Sequence, residues 1–525
     1  MRTRRVAIPL CALSAVLLLL LVLLPRIADS FRIPTGRFFR GTVRAADRQP
    51  RIHPDYAGIT IPPNIAPLNF AVRETGVRAI CRVSGEKGTV LTVRGRGMSV
   101  LFPPRQWKRV LSEHRGSEIS LEVFVRTRDG SWLRFSPVVN VVAAEEIDPY
   151  LIYRLIPPIY NTWFQMGIYQ RNLEGFRETP IYAARPSVRM KGICVNCHSF
   201  PARGPSLFLF HTRGDISTTL LATPKGVSRV DMGSKMVYVC WHPDRKTVAF
   251  STNRVRQVFH TARTEVRDVI DENSDLGVYF ADTNSFATDT AIARPERLET
   301  YPCWSPDGTT LYYCSAPKLL DDINAMETDI YRKVRYDLMK IPFDPDTRSF
   351  GKPEVVLSAQ ETGLSILQPR VSPDGKYLLF CMCPYGCFPI YQPESDLYLM
   401  ERSSGRYWKL PVNSDESDAW HCWSSNSRWI VFSSKRGTGL FARPYLCHIG
   451  ADGTAGKPFV VPQRNPAFYD SYLFTYNVPE LSSAPVRFRE TSFNLSLESP
   501  PQKARNLSPD LLPDAGDSLP WRNAR

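Results

Sequence analysis

No G-x-S-x-G, P-loop, H-E-x-x-H or G-x-G-x-x-G occurs in the 525 residues. The commonest hydrolase, nucleotide-binding and zinc-protease chemistries therefore have no visible seat here. Blocks of consecutive Lys or Arg are also missing. The net charge of +15 (66 basic, 51 acidic) is spread thinly, so no nucleic-acid partner is expected. Glycine is scarcer than proline, 30 against 44, which argues against an all-helical chain and for short strands joined by turns. Only one hydrophobic run is long enough to span a bilayer. What remains is an ordinary globular composition, 43% apolar and 22% charged, with length for two to four domains.

The single long run sets the compartment. Arg2, Arg4 and Arg5 precede 20 uncharged residues, Val6 to Pro25, about 30 Å as a helix. A positive start keeps the N-terminus in the cytoplasm and exports the rest. No clean A-x-A site follows, so an uncleaved bacterial inner-membrane anchor over residues 1–27 is favoured, with the bulk of the chain in the periplasm. The alternative is a cleaved signal and secretion to the periplasm.

The remaining chain divides by pattern. Residues 28–58 read as an Arg-rich linker. Residues 59–145 carry five or more short apolar runs broken by turn signals such as Asp129-Gly130, the pattern of a small β-sandwich. Residues 146–204 mix aromatic and apolar positions at a weaker helical period, giving a helical or irregular segment. Residues 479–525 form a Pro/Ser-rich tail, disordered or wrapped on the surface.

The sharpest motif is Cys194-Val195-Asn196-Cys197-His198, a C-x-x-C-H expected by chance about 0.004 times at this composition. Two thiols at this spacing reach the two vinyl groups of one haem edge, and the adjacent imidazole reaches iron. Zinc wants a second C-x-x-C and a redox dithiol wants a βαβ setting; neither accompanies it. The motif resembles the c-type cytochrome attachment site. The resemblance implies one covalent haem c, with Cys194 and Cys197 as thioether residues and His198 as proximal ligand. Candidates for the sixth position are His211, Met236 or Met232, the strained Met190, or water or a distant residue.

From about residue 205 to 478 the chain repeats. Trp241-His242-Pro243-Asp244-Arg245, Trp304-Ser305-Pro306-Asp307-Gly308, Val371-Ser372-Pro373-Asp374-Gly375 and Trp423-Ser424-Ser425-Asn426-Ser427 each precede an apolar strand, at spacings of 63, 67 and 52. Pro presets the first turn position, Asp caps its own backbone and Gly takes the left-handed one. The repeat resembles the W-S-P-D-G blade of TolB-type propellers, related to those of prolyl-oligopeptidase-like enzymes, over roughly Ser206–Val478. A degenerate blade at Phe208–Ser228 and closure near Phe459–Val461 complete six blades. The expected fold is thus mainly β: transmembrane helix, β-sandwich, short helical haem segment and TolB-like propeller. Motif and repeat together look like bacterial envelope proteins with a C-x-x-C-H ahead of such a propeller.

Other cysteines follow the repeat. Cys240, Cys303 and Cys422 stand just before the turn; Cys314 and Cys381 fill the slot of Ser251 and Ser433. Small packed residues suit those slots. Cys381, Cys383 and Cys387 are the best disulfide or metal candidates. Two functions are open: a mono-haem cytochrome passing electrons to a redox or envelope protein partner, or a TolB-like scaffold whose haem is structural or sensory. Haem catalysis would need an open iron and a distal His211, His242 or His260.

Overall fold

The structure, a computed structural model, describes residues 42–508 apart from 87, 184–191, 202–203, 260, 262–266 and 320–329. The apolar run 6–25 lies outside them, and among the described residues no helix is long and apolar enough to cross a membrane.

The first domain begins earlier than the pattern suggested. Val43–Ala46 pairs in parallel with Trp132–Phe135, and Ile52–His53 pairs with Phe70–Val72, so the second half of the supposed linker is sheet. One sheet has seven strands and the other three. A helix, Pro104–Glu113, was not foreseen. It starts at a proline and buries Trp107, Val110 and Leu111, the i, i+3, i+4 spacing of one helical face.

The described part of residues 146–204 is mainly strand, and its helical content is the single 3-10 segment Tyr160–Gln165. Tyr150–Ile156, Gly167–Asn172 and Glu178–Ala183 are antiparallel strands, and the motif itself lies on strand Ile193–Ser199. Aromatic and β-branched residues at short spacing mimic a helical period but suit a pleated, buried surface better. The propeller therefore starts at Tyr150, not 205, and has six blades. Blade one is the three strands above, with Thr475–Ser482 as its innermost strand. Blade two starts at Ile193–Ser199, blade three at Val237–Trp241, blade four at Arg297–Trp304, blade five at Ser365–Val371 and blade six at Asp418–Trp423. The C-terminal strand closes the ring from within. Phe459–Val460, expected to do so, is the outer strand of blade six.

The turn chemistry explains the repeat. Ser305 Oγ donates to Asp307 at 2.5 Å and accepts Thr310 N–H at 3.0 Å, while Gly308 has φ +77°. A Cβ there would lie 2.2 Å from His242 Nε2. Arg245 and Ser427, the departures from Gly, adopt φ 61° and 62°, so the turn survives the substitution. The tail beyond the closing strand wraps rather than frays: helix Glu490–Glu498 buries Phe493 and Leu497 against blade two. Gln502–Lys503 and Arg505–Asn506 then extend blades two and three. Residues 509–525 lie outside the described residues. Blade six, the closing strand and the first domain share one core, containing Trp107, Trp429, Phe459 and Tyr476.

Candidate functional site on the inner strands

Every inner strand carries the same irregularity. Its pairing with the second strand of its blade skips two residues: 197–198, 238–239, 301–302, 368–369, 420–421 and 478–479. Five of the first members, Tyr238, Tyr301, Gln368, Trp420 and Val478, have φ between 47° and 56°. Bulky residues pay about 1–3 kcal/mol each for such backbone, so the ring closure imposes it. The bulge aims these residues at the axis. Tyr238 and Tyr301, from blades three and four, have ring centroids 4.2 Å apart, and Trp420 of blade six is 6.0 Å from both. Cys197 holds this register position in blade two.

Two residues further on, the six strands place Ser199, Cys240, Cys303, Arg370, Cys422 and Glu480 at one level. Arg370 of blade five interacts electrostatically with Cys303, Cys240, Glu480 and Cys422, residues of four other blades. Only a side chain directed into the central channel can do that.

The motif sits on this framework. Arg154 of blade one bonds Asn196 Oδ1, Val195 O at 3.2 Å and Asn477 Oδ1 at 2.7 Å, tying the motif to the closing strand. Asn196 Nδ2 donates to Cys194 Sγ at 3.0 Å, and Cys194 is half-buried. His198 is buried, lies parallel to Phe208 at 6.3 Å, and has Nε2 3.1 Å from Glu480 Oε2. That contact, close enough for an ion pair, is not aligned for a hydrogen bond, and neither ring nitrogen is hydrogen-bonded. Blade six provides a control. His421 holds the same register position, but its Nε2 donates to Leu379 O at 3.1 Å and its Nδ1 lies 3.9 Å from Cys381 Sγ. His421 is thus an ordinary bonded core histidine and His198 is not.

His211 pairs across the sheet with Asn196. It is fully buried and neither of its nitrogens is hydrogen-bonded. Burial, then the charges of Arg213, Lys235 and Arg154, outweigh a backbone contact at Met236 and hold its pKa well below the ordinary value, so it stays neutral, with a proton on one ring nitrogen and a lone pair on the other. The methionine candidates differ. Met232 and Met236 pack with Leu209, Leu221 and Val239 in the core between blades two and three, and Met190 lies outside the described residues. His242 is structural: Nε2 bonds Gly308 O at 3.0 Å and the ring packs edge-on to Trp304. His260 lies outside the described residues. Cys381, Cys383 and Cys387 are buried and unpaired, their thiols pushed up by burial. Among the described residues no group of three His, Cys, Asp or Glu has metal-ligand geometry.

Unbonded buried imidazoles are costly, and two of them flank one motif on paired strands. This donor set fits a c-type haem: Cys194 and Cys197 for the thioethers, His198 and His211 for iron. The extended strand separates the two cysteines more than a helical turn would, but the bulge at 197–198 breaks the regular spacing. Arg154, Glu480 and Arg370 were missed from the sequence. The signal for Arg370 was present, because aligning the repeats two residues before the turn puts it in the column of Cys240, Cys303 and Cys422.

A small cavity of about 10 Å³ is lined by Asp268, Asp271, Tyr331, Tyr336 and Tyr385, room for one water. Asp271 accepts from Asn253 at 2.8 Å and Tyr336 at 3.2 Å, yet burial raises its pKa to about 7. The folded state then holds a proton that the unfolded chain releases near pH 4, so this group lowers stability as pH rises from about 4 to 7. Asp271→Asn should raise the melting temperature at pH 8 and leave it nearly unchanged at pH 4. Equal shifts at both pH values in a thermal melt would refute this.

No family model and no curated protein matches the chain. Among solved structures it is similar to TolB from Acinetobacter baumannii, at 14% identity and TM-score 0.40, over 70% of this chain and 79% of that one. A luciferin-regenerating enzyme matches at 10% and 0.36, over 60% and 92%. Prolyl oligopeptidase B from Galerina marginata matches at 13% and 0.33, over 59% of this chain and 44% of that one. The propeller assignment rests on the six blades themselves.

Proposed function

We propose that this chain is a membrane-anchored envelope protein with a TolB-like propeller that carries one haem c and passes electrons to an envelope partner. The observation that carries the reading is the pair of buried, unbonded histidines, His198 and His211, beside the C-x-x-C-H. Covalently held haem supplies a one-electron centre whose potential follows from axial ligands and burial. Cys194 and Cys197 would hold it, and the imidazoles of His198 and His211 would offer nitrogen to the iron, His211 being kept neutral by burial. Glu480, next to His198, and Arg154, which ties Asn196 to Asn477, hold the motif strand in place. Two imidazoles available to the iron would favour electron transfer over substrate binding.

The test is a pyridine haemochrome spectrum and haem stain on protein exported from a host with c-type maturation. Covalent haem is expected in the wild type and absent from Cys194→Ala/Cys197→Ala. His211→Ala should convert a low-spin spectrum to high-spin. A wild type without covalent haem would sink the electron-transfer reading and leave the second one: a scaffold that binds a partner at the propeller face. The aromatic cluster of Tyr238, Tyr301, Phe388 and Trp420, of which Tyr238 and Phe388 are partly exposed, favours that alternative.

A further inference from the structure

We infer that Cys240 and Cys303 form a peroxide-oxidisable dithiol that closes to a disulfide between blades three and four. The two residues hold the same register position in neighbouring blades. Trp304 N–H donates to Cys240 Sγ at 3.5 Å, which sets the Cys240 sulfur against the peptide unit that carries Cys303. Val371 N–H donates in turn to Cys303 Sγ at 3.5 Å. Cys422 stands at the same level, but blade five separates it from Cys303.

The surroundings activate one thiol of the pair. A hydrogen bond from Cys240 and the charge of Arg370 favour the Cys303 thiolate against the cost of burial. Among the described residues no carboxylate forms an ion pair with Arg370 within 4 Å; its neighbours are the ring thiols and Glu480. A guanidinium facing thiols is the setting of a reactive cysteine rather than an inert one.

Access sets the oxidant. Cys303 is itself 4% exposed, but Cys240, Arg370, Cys422 and Glu480 beside it are only half-buried although they stand on inner strands, so a small molecule reaches the pair past them. A mostly buried thiol is out of reach of a protein oxidant, whereas a hydroperoxide is small enough to enter. The Cys303 thiolate attacks the outer peroxide oxygen, the O–O bond breaks, and the departing alkoxide or hydroxide takes a proton from solvent. Cys303 becomes a sulfenic acid. The Cys240 sulfur then attacks the Cys303 sulfur, the S–O bond breaks, and water leaves with the Cys240 proton. The balance is two thiols and one hydroperoxide giving one disulfide, one alcohol or water, and one further water.

The experiment treats the purified full chain with hydrogen peroxide, quenches with catalase, alkylates free thiols and maps peptides without reduction. The expected product is a 240–303 cross-linked peptide whose mass is two hydrogens below the sum. In Cys240→Ser the reaction should stop at Cys303, trapped there by dimedone. In Cys303→Ser, oxidation at Cys240 should be about tenfold slower. A wild-type map in which Cys194, Cys422 or another cysteine oxidises while Cys240 and Cys303 stay reduced overturns the proposal, whatever the variants do.

Discussion

A chain truncated after Phe474 will not show a cooperative unfolding transition. Thr475–Ser482 is the inner strand of blade one, and its partner Tyr150–Ile156 pairs with it at six positions. Tyr476 and Leu481 are buried in the core that joins the propeller to the first domain. Ser433 Oγ donates to Tyr476 O at 3.2 Å, and Asn477 receives Arg154. Each large side chain contributes about 1.5–3 kcal/mol by burial, and the wrapped helix adds Phe493 and Leu497. That sum approaches the whole stability of an ordinary domain, about 5–15 kcal/mol. A chain ending at Ser508 is the control and should melt like the full protein. Circular dichroism melts and limited proteolysis read the result. A 474-residue chain with an unchanged transition would mean that the ring does not depend on closure from its C-terminus.

The blades were legible where the turn dictates the residues. Pro-Asp-Gly fixes φ and caps its own amide, so Trp304–Gly308 and Val371–Gly375 could be read directly. Blade one could not. It lacks that turn, and its inner strand comes from a segment more than 300 residues away in sequence, a pairing that no local pattern records. The same holds for Glu480, which meets His198 only after closure. The helical reading of 146–204 failed because Tyr153, Ile168 and Tyr182 serve a buried sheet, where apolar residues need not alternate. Cys194, Cys197 and His198 were visible as a motif, whereas the environment of His211 needed the sheet pairing.

His198 and His421 provide the sharpest separation of function from architecture, because the fold gives them the same place. His421→Ala should remove a bonded ring, leave Leu379 O without its donor and open a cavity, at a cost of roughly 2–4 kcal/mol. The haem spectrum should be untouched. Burial, and then the Arg370 charge, hold the His421 pKa near 3. The unfolded chain therefore gains a proton on this residue below about pH 6.5 that the folded one refuses, and stability falls with pH over that interval. In His421→Ala that acid sensitivity should shrink. His198→Ala breaks no aligned hydrogen bond and loses only the Glu480 contact, so the protein lacking haem should lose less stability than His421→Ala does. Covalent haem should fall severalfold, and whatever remains should lose its low-spin bands. Melts at pH 5 and pH 7.5, set beside the visible spectrum of each variant, decide the matter. If the two substitutions produce the same spectrum and the same melting shift, His198 is another packing residue of the propeller and the cytochrome reading falls with it.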